Sequence, residues 1–191
     1  TTYGTDNSCT LDAMAKIGSN ARGVVAVDTT ASDADLEDFT RKGVTGIRFH
    51  MLPGGALPWD ILEEMAARVH NFGWHVQLQL DGKELPNHID AVRNLPCPLV
   101  IDHVGKFLEP VTPEHETFHM MLGLVENGAW VKLSAAYETS KIGPPYFDDV
   151  GTMAKAFVAA APERMLWATN WPHPGQAPRP DDAMLIDTLL D

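Results

Sequence analysis

Short apolar runs rich in β-branched residues alternate along the chain with longer stretches whose apolar positions recur at helical spacing. The runs predict strands over Gly23–Asp28, Gly46–His50, His75–Leu80, Leu99–His103, Trp130–Ser134 and Met165–Thr169. Each has about five or six residues, the common strand length. Several are apolar nearly throughout, which suits parallel strands covered on both faces. Helices are predicted between them. Leu11–Ile17 follows Ser8 and Thr10, both suitable N-caps. Asp33–Lys42 opens on acids and closes on Arg41, Lys42 and Gly43, matching the helix dipole and a glycine stop. Trp59–Phe72 carries Ile61, Leu62, Met65, Ala66 and Val69 on one face and stops at Gly73. Glu84–Asn94 has Pro86 near its start, where proline is tolerated. Pro113–Asn127 and the Ala-rich Phe147–Ala161 complete the set.

The pattern is strand then helix, repeated about six times, with no two strands close enough for a hairpin. Such alternation means a parallel α/β sheet, either a (β/α)8 barrel or an open doubly wound sheet. The open sheet would carry a glycine-rich phosphate loop after its first strand. No such loop follows Gly23–Asp28, so the expectation is a barrel of the TIM type forming a single domain over residues 1–191. The chain starts at Thr1 without an initiator Met and stops inside an apparent amphipathic helix, AMLIDTLLD. It therefore reads as a barrel truncated at both ends. A barrel lacking a strand exposes sheet edges and apolar helix faces. This stretch alone is expected to self-associate and to be inactive. The Pro-rich stretch Trp171–Pro180 reads as a loop after the last strand.

Composition narrows the partners. Of 191 residues, 45% are hydrophobic and 21% charged, which argues against disorder. A net charge of -12 would repel phosphates and speaks against nucleic acid. An acidic substrate would need a local basic site. Cys9 and Cys97 are too few for a disulfide framework. No apolar run approaches the roughly 20 residues of a membrane span, and no signal peptide is visible. No membrane partner and a cytoplasmic location are expected.

The unusual side chains fall at strand ends. Arg48 and His50 close one strand; Gln77 and Gln79 lie in the next, followed by Asp81. Asp102 and His103 close the fourth, followed by Lys106. Ser134 and Tyr137 follow the fifth, and Asn170 and His173 the sixth. In a barrel the C-terminal ends of the strands converge on one mouth, where active sites are built. Arg48, Gln79, His103, Tyr137 and Asn170 are thus expected to share it. His70, His75 and His88 fall away from strand ends and read as surface or packing residues. His115 and His119 lie in H-E-T-F-H, a string with zinc-site spacing. It sits far from the strand ends, so it is taken as a solvated helix face and as the rival site.

GTDN (Gly4–Asn7), GIRFH, VIDHVGK (Val100–Lys106) and RMLWATNWPHP (Arg164–Pro174) together resemble the amidohydrolase superfamily, in its 2-pyrone-4,6-dicarboxylate lactonase-like branch. The resemblance covers nearly the whole chain. It implies a distorted (β/α)8 barrel in which a His-x-His pair ends the first strand, a His the sixth and an Asp the eighth. There the Asp takes a proton from water, His residues polarise the lactone carbonyl and Arg side chains hold substrate carboxylates. Carried over by motif, His103 is the sixth-strand His and Asn170 stands in the Asp position. Arg48 matches a carboxylate-binding Arg, Thr5 belongs to a pocket loop, and Lys106 stands where the lactonase has Arg. Gln79, Tyr137 and His173 complete the substrate-binding candidates. This branch works without a metal, so no cofactor is expected, although many superfamily relatives bind a divalent metal and the full-length protein could.

Three departures matter. The His-x-His strand is absent. Asn170 cannot accept a proton as a carboxylate does, a loss of about 10²–10⁴ in rate for a positioned base. Pro53–Gly55 and Glu138 stand where the lactonase has further Arg residues, so a substrate with fewer carboxylates than a pyrone dicarboxylate, a sugar-acid or muconate-type lactone, is an equal candidate. The expected function is hydrolysis of a small acidic lactone by base-activated water. The alternatives are a catalytically silent barrel that binds a small acid, and a metal-dependent hydrolase or decarboxylase of the same superfamily.

Overall fold

The structure is a computed structural model that describes residues 3–188. The chain divides into two compact units. One runs up to Leu80 and takes in Asn87–Val100; the other takes in Asp81–Pro86 and runs on from Ile101.

The first unit holds α1 (Ser8–Ile17), β1 (Gly23–Val25), α2 (Asp33–Arg41), β2 (Val44–His50), α3 (Leu62–His70), β3 (His75–Gln79), α4 (Ile89–Arg93) and most of β4 (Leu99–Ile101). β1 pairs with β2 and β2 with β3, all parallel, and strands follow in chain order. Alternation decides the faces of β2 and β3. Ile47, Phe49, Val76 and Leu78 are fully buried, and α3 packs on both strands. Burying each such side chain stabilises by about 1.5–3 kcal/mol. Arg48 lies beside Gln77 and His50 beside Gln79, so four polar side chains share the opposite face.

α2 starts where its sequence says. Ser32 and Asp35 form a reciprocal capping box. The Trp74 indole is buried, and its N–H donates to Thr40 Oγ1 at 2.9 Å. Elsewhere helix starts differ from expectation. α1 begins at Ser8 after Asn7, so neither Ser8 nor Thr10 is the cap. The stretch expected as one helix from Trp59 opens with a 3-10 turn, Trp59–Ile61, before α3. Glu84–Asn94 is a 3-10 segment, Gly82–Asn87, and then the short α4. Pro86 lies inside that segment and has no N–H to donate to an α-helical ladder.

The second unit holds α5 (Glu116–Glu126), β5 (Trp130–Leu133), α6 (Asp148–Ala160), β6 (Met165–Trp167) and α7 (Asp182–Asp187). β5 and β6 pair in parallel, Val131 beside Met165 and Leu133 beside Trp167. Phe107, Phe118 and Phe157 form its aromatic core, with ring centroids 6.1 and 4.8 Å apart. Gly82 is required there, because a Cβ would lie 2.5 Å from the Phe107 ring. Residues 189–191, the end of the helix expected at the C-terminus, lie outside the described residues.

The strands stop short of their predicted C-terminal ends. β4 ends at Ile101 and not His103, β5 at Leu133 and β6 at Trp167. Just beyond these ends the backbone enters the left-handed region, at His103 (φ 55°), Ala135 (φ 56°) and Asn170 (φ 59°). That conformation cannot continue a strand.

Candidate active site

The polar groups beyond β4, β5 and β6 within the second unit form a His103–Ser134 pair and a set of contacts running from Lys106 through Glu138, Asn170 and Tyr137 to His173. After β4 the chain makes a left-handed turn in which His103, Val104, Gly105 and Lys106 have φ of 55°, 54°, 79° and 47°. Left-handed backbone costs an L-residue about 1–2 kcal/mol, and a β-branched residue such as Val104 is a clear outlier. Strain of this kind persists only where the surroundings over-determine it, and it concentrates at functional sites. Within this turn the His103 and Lys106 side chains are each buried.

His103 Nδ1 lies 2.8 Å from the hydroxyl of Ser134, at the end of β5, which fixes the ring. Lys106 forms an ion pair with Glu138, on the 3-10 turn Ala136–Glu138 that follows β5. Both side chains are largely buried, at 8% and 13% exposure. Below them Asp102, 1% exposed, pairs with Lys132 at 3.2 Å.

Asn170 joins the network from the turn after β6. Its Nδ2 donates to Glu138 Oε1 at 2.8 Å and to the Tyr137 hydroxyl at 2.9 Å. Tyr137 in turn lies 2.8 Å from His173 Nδ1. Burial pushes the Tyr137 phenol above its ordinary range; the hydrogen bond from Asn170 opposes this and Asp182 adds to it. On its other side His173 Nε2 lies 3.2 Å from Asp182 Oδ1 at the start of α7. His173, like Asn170, has a left-handed backbone (φ 59°).

Of the residues expected at the site, the second unit thus unites His103, Lys106, Tyr137, Asn170 and His173. The first unit brings together Arg48 and Gln79, whose side chains are hydrogen-bonded on the polar face of β2 and β3. Thr5 is exposed in the turn before α1, where its carbonyl accepts from Asn7. Asn7, given no role of its own within GTDN, is what ties that loop down: its amide pairs with both backbone groups of Ala26, at 2.8 and 3.1 Å. Sequence reasoning also passed over Glu138, noticed only as a missing Arg. The available signal was its place one residue after Tyr137 in a strand-end loop.

The rival string has a structural role. His115 is the N-cap of α5 and not part of the helix; its Nδ1 accepts from the Thr117 N–H at 3.2 Å. Among the described residues no group of three or more His, Cys, Asp or Glu is placed to hold a metal ion. Among the described residues no helix is long and apolar enough to cross a membrane.

The amidohydrolase family model matches residues 1–191. The chain is 36% identical over 189 residues to D-galactarolactone isomerase of Agrobacterium fabrum, covering 97% of this chain and 64% of that protein. It is 34% identical over 201 residues to 2-pyrone-4,6-dicarboxylate hydrolase of Comamonas testosteroni, covering 99% of this chain and 66% of that one. An apo crystal structure from Agrobacterium tumefaciens matches with a TM-score of 0.91 at 34% identity, over 98% of this chain and 68% of that one. The chain spans less than two thirds of the length of the two curated relatives. Its fold is of the (β/α)8-barrel type, with six of the strands present among the described residues. The lactonase-like resemblance and the family match agree: this chain belongs to the amidohydrolase family.

Proposed function

We propose that this chain forms part of an enzyme that opens a small acidic lactone by adding an oxygen nucleophile to the ring carbonyl. The observation that carries the reading is the group of polar contacts beyond three strand ends, His103 with Ser134 and Lys106 with Glu138, Asn170, Tyr137 and His173, set on left-handed backbone at His103, Lys106, Asn170 and His173. Preorganised donors aimed at a developing oxyanion are the largest single contribution in acyl transfer. His103, oriented by Ser134, is suited to stabilise that oxyanion. Similarity to a lactone hydrolase and a lactone isomerase supports the substrate class.

Water is the nucleophile in the first reading, and the product is an open hydroxy acid. A second reading is favoured by Asn170, whose amide nitrogen donates and accepts no proton. A hydroxyl of the substrate itself, held beside the carbonyl, then competes with water through proximity alone, and its attack changes the ring size of the lactone. The similarity to D-galactarolactone isomerase points the same way.

One experiment separates the two. The whole protein is incubated in H2(18)O with D-galactarolactone, 2-pyrone-4,6-dicarboxylate and a muconolactone, and products are followed by NMR and mass spectrometry. Hydrolysis places the label in a new carboxylate; isomerisation gives an unlabelled lactone of different ring size. If the protein turns over none of the three, the lactone reading is wrong.

A further inference from the structure

We infer that Glu138, and not Asn170, is the group that takes and returns the proton when the lactone is attacked. This rests on the lactone reading above and adds to it the identity of the base.

The direction of the Asn170 amide is dictated by its neighbour. Glu138 offers only acceptor oxygens when ionised, so Nδ2 and not Oδ1 must face it. The carboxylate therefore stands one hydrogen bond, 2.8 Å, from the side chain that occupies the proton-acceptor position of the family pattern. The two residues come from turns following β5 and β6, which are neighbouring parallel strands of one unit. A carboxylate missing from one strand end is present at the next.

Glu138 is equipped for the task. Lys106 meets its Oε2 and supplies the counter-charge that makes a largely buried carboxylate tolerable. Oε1 accepts one hydrogen bond from Asn170 and has a second lone-pair direction with which to receive a proton. The other members of the network are occupied differently. Tyr137 accepts from Asn170 and lies against His173 Nδ1, and His173 faces Asp182. The turn that presents Glu138 is entered through the left-handed, buried Ala135 (φ 56°), so its placement is enforced by the backbone.

The step balances. An O–H bond of the nucleophile breaks and its proton goes to Glu138 Oε1. The nucleophile's oxygen bonds to the lactone carbonyl carbon, and the carbonyl π pair moves to its oxygen. When this oxyanion collapses, the ring C–O bond breaks, and the leaving alkoxide takes the proton from Glu138. Water as nucleophile gives the hydroxy acid; a substrate hydroxyl gives the isomeric lactone. The role of Glu138 is the same in both.

The test uses the whole protein with D-galactarolactone and 2-pyrone-4,6-dicarboxylate as probes. Glu138→Gln is expected to lower kcat by about 10²–10⁴-fold, the range for a positioned base. KM should stay within about threefold, because an interaction of the transition state is lost and not ground-state binding. The acidic limb of the kcat–pH profile should vanish with it, and formate should restore part of the rate to Glu138→Ala. If Glu138→Ala does not fold, Lys106→Met combined with Glu138→Gln removes the unpaired charge and should show the same loss of kcat. A rate for Glu138→Gln within about threefold of the parent overturns the inference. So does a loss with an unchanged pH profile and no formate response, which would mark Glu138 as structural. An unaltered protein inactive on both probes and on the muconolactone sinks the lactone reading and this inference together; an active one with an indifferent Glu138→Gln sinks only the inference.

Discussion

Replacing Asn170 by Asp restores the residue that the family pattern has, yet in this chain it should create a conflict. The amide nitrogen now donates to Glu138 Oε1 across 2.8 Å. Two carboxylates at that separation repel by about 6 kcal/mol at an effective dielectric constant of 20. Lys106, on the other oxygen of Glu138, offsets part of this. A net penalty of about 2–4 kcal/mol follows, or roughly 1.5–3 pK units at 1.36 kcal/mol each. The variant relieves it by keeping a proton on the pair, as like-charged dyads do. The introduced carboxyl is thus raised in the folded state above its unfolded value of about 3.9. Folded protein then binds more protons than unfolded protein between those two values, so stability falls as pH rises through that window. Urea denaturation of Asn170→Asp and of the parent at matched pH from about 4 to 8 would measure it. The stability gap between the two proteins should widen by about 2–4 kcal/mol toward high pH. A gap that stays constant with pH would show that position 170 does not face Glu138, and the network described above would be wrong.

Two further perturbations probe the supports of the site. Lys106→Met strands Glu138, 13% exposed, without its counter-charge and should cost about 3–5 kcal/mol in denaturant melts. Adding Glu138→Gln should recover most of it, and a single-variant cost below about 1 kcal/mol would contradict a buried pair. Asn7→Ala removes the partner of both backbone groups of Ala26, at about 1–3 kcal/mol for each group left unsatisfied. Hydrogen exchange at the Ala26 amide should quicken, and unchanged exchange would mean that water or another group takes over.

Much of the scaffold was legible in the chain's own pattern. The alternation of short apolar runs with helical periods gave six strands and the parallel α/β class, because burial imposes a period of two on a strand and 3.6 on a helix. The start of α2 at Asp33 was read from its opening acids, and the structure adds the Ser32–Asp35 capping box that holds it there. The positions of His103, Tyr137, Asn170 and His173 after strand ends were visible too, because strand order alone places them beyond β4, β5 and β6.

What those residues do to one another was settled only by the tertiary structure. Glu138 read as an absence of Arg until it was found joined to Lys106, 32 positions away, and to Asn170, 32 positions on the other side. His115 read as part of a solvated helix face, and as a rival metal string, until its ring was found capping α5. Hydrophobic periodicity reports which positions leave water, but it says nothing about which polar groups meet there. Left-handed backbone at His103, Ala135 and Asn170 is invisible to it as well, because that conformation is intrinsically unfavourable for these residues and is held only by packing and long-range hydrogen bonds.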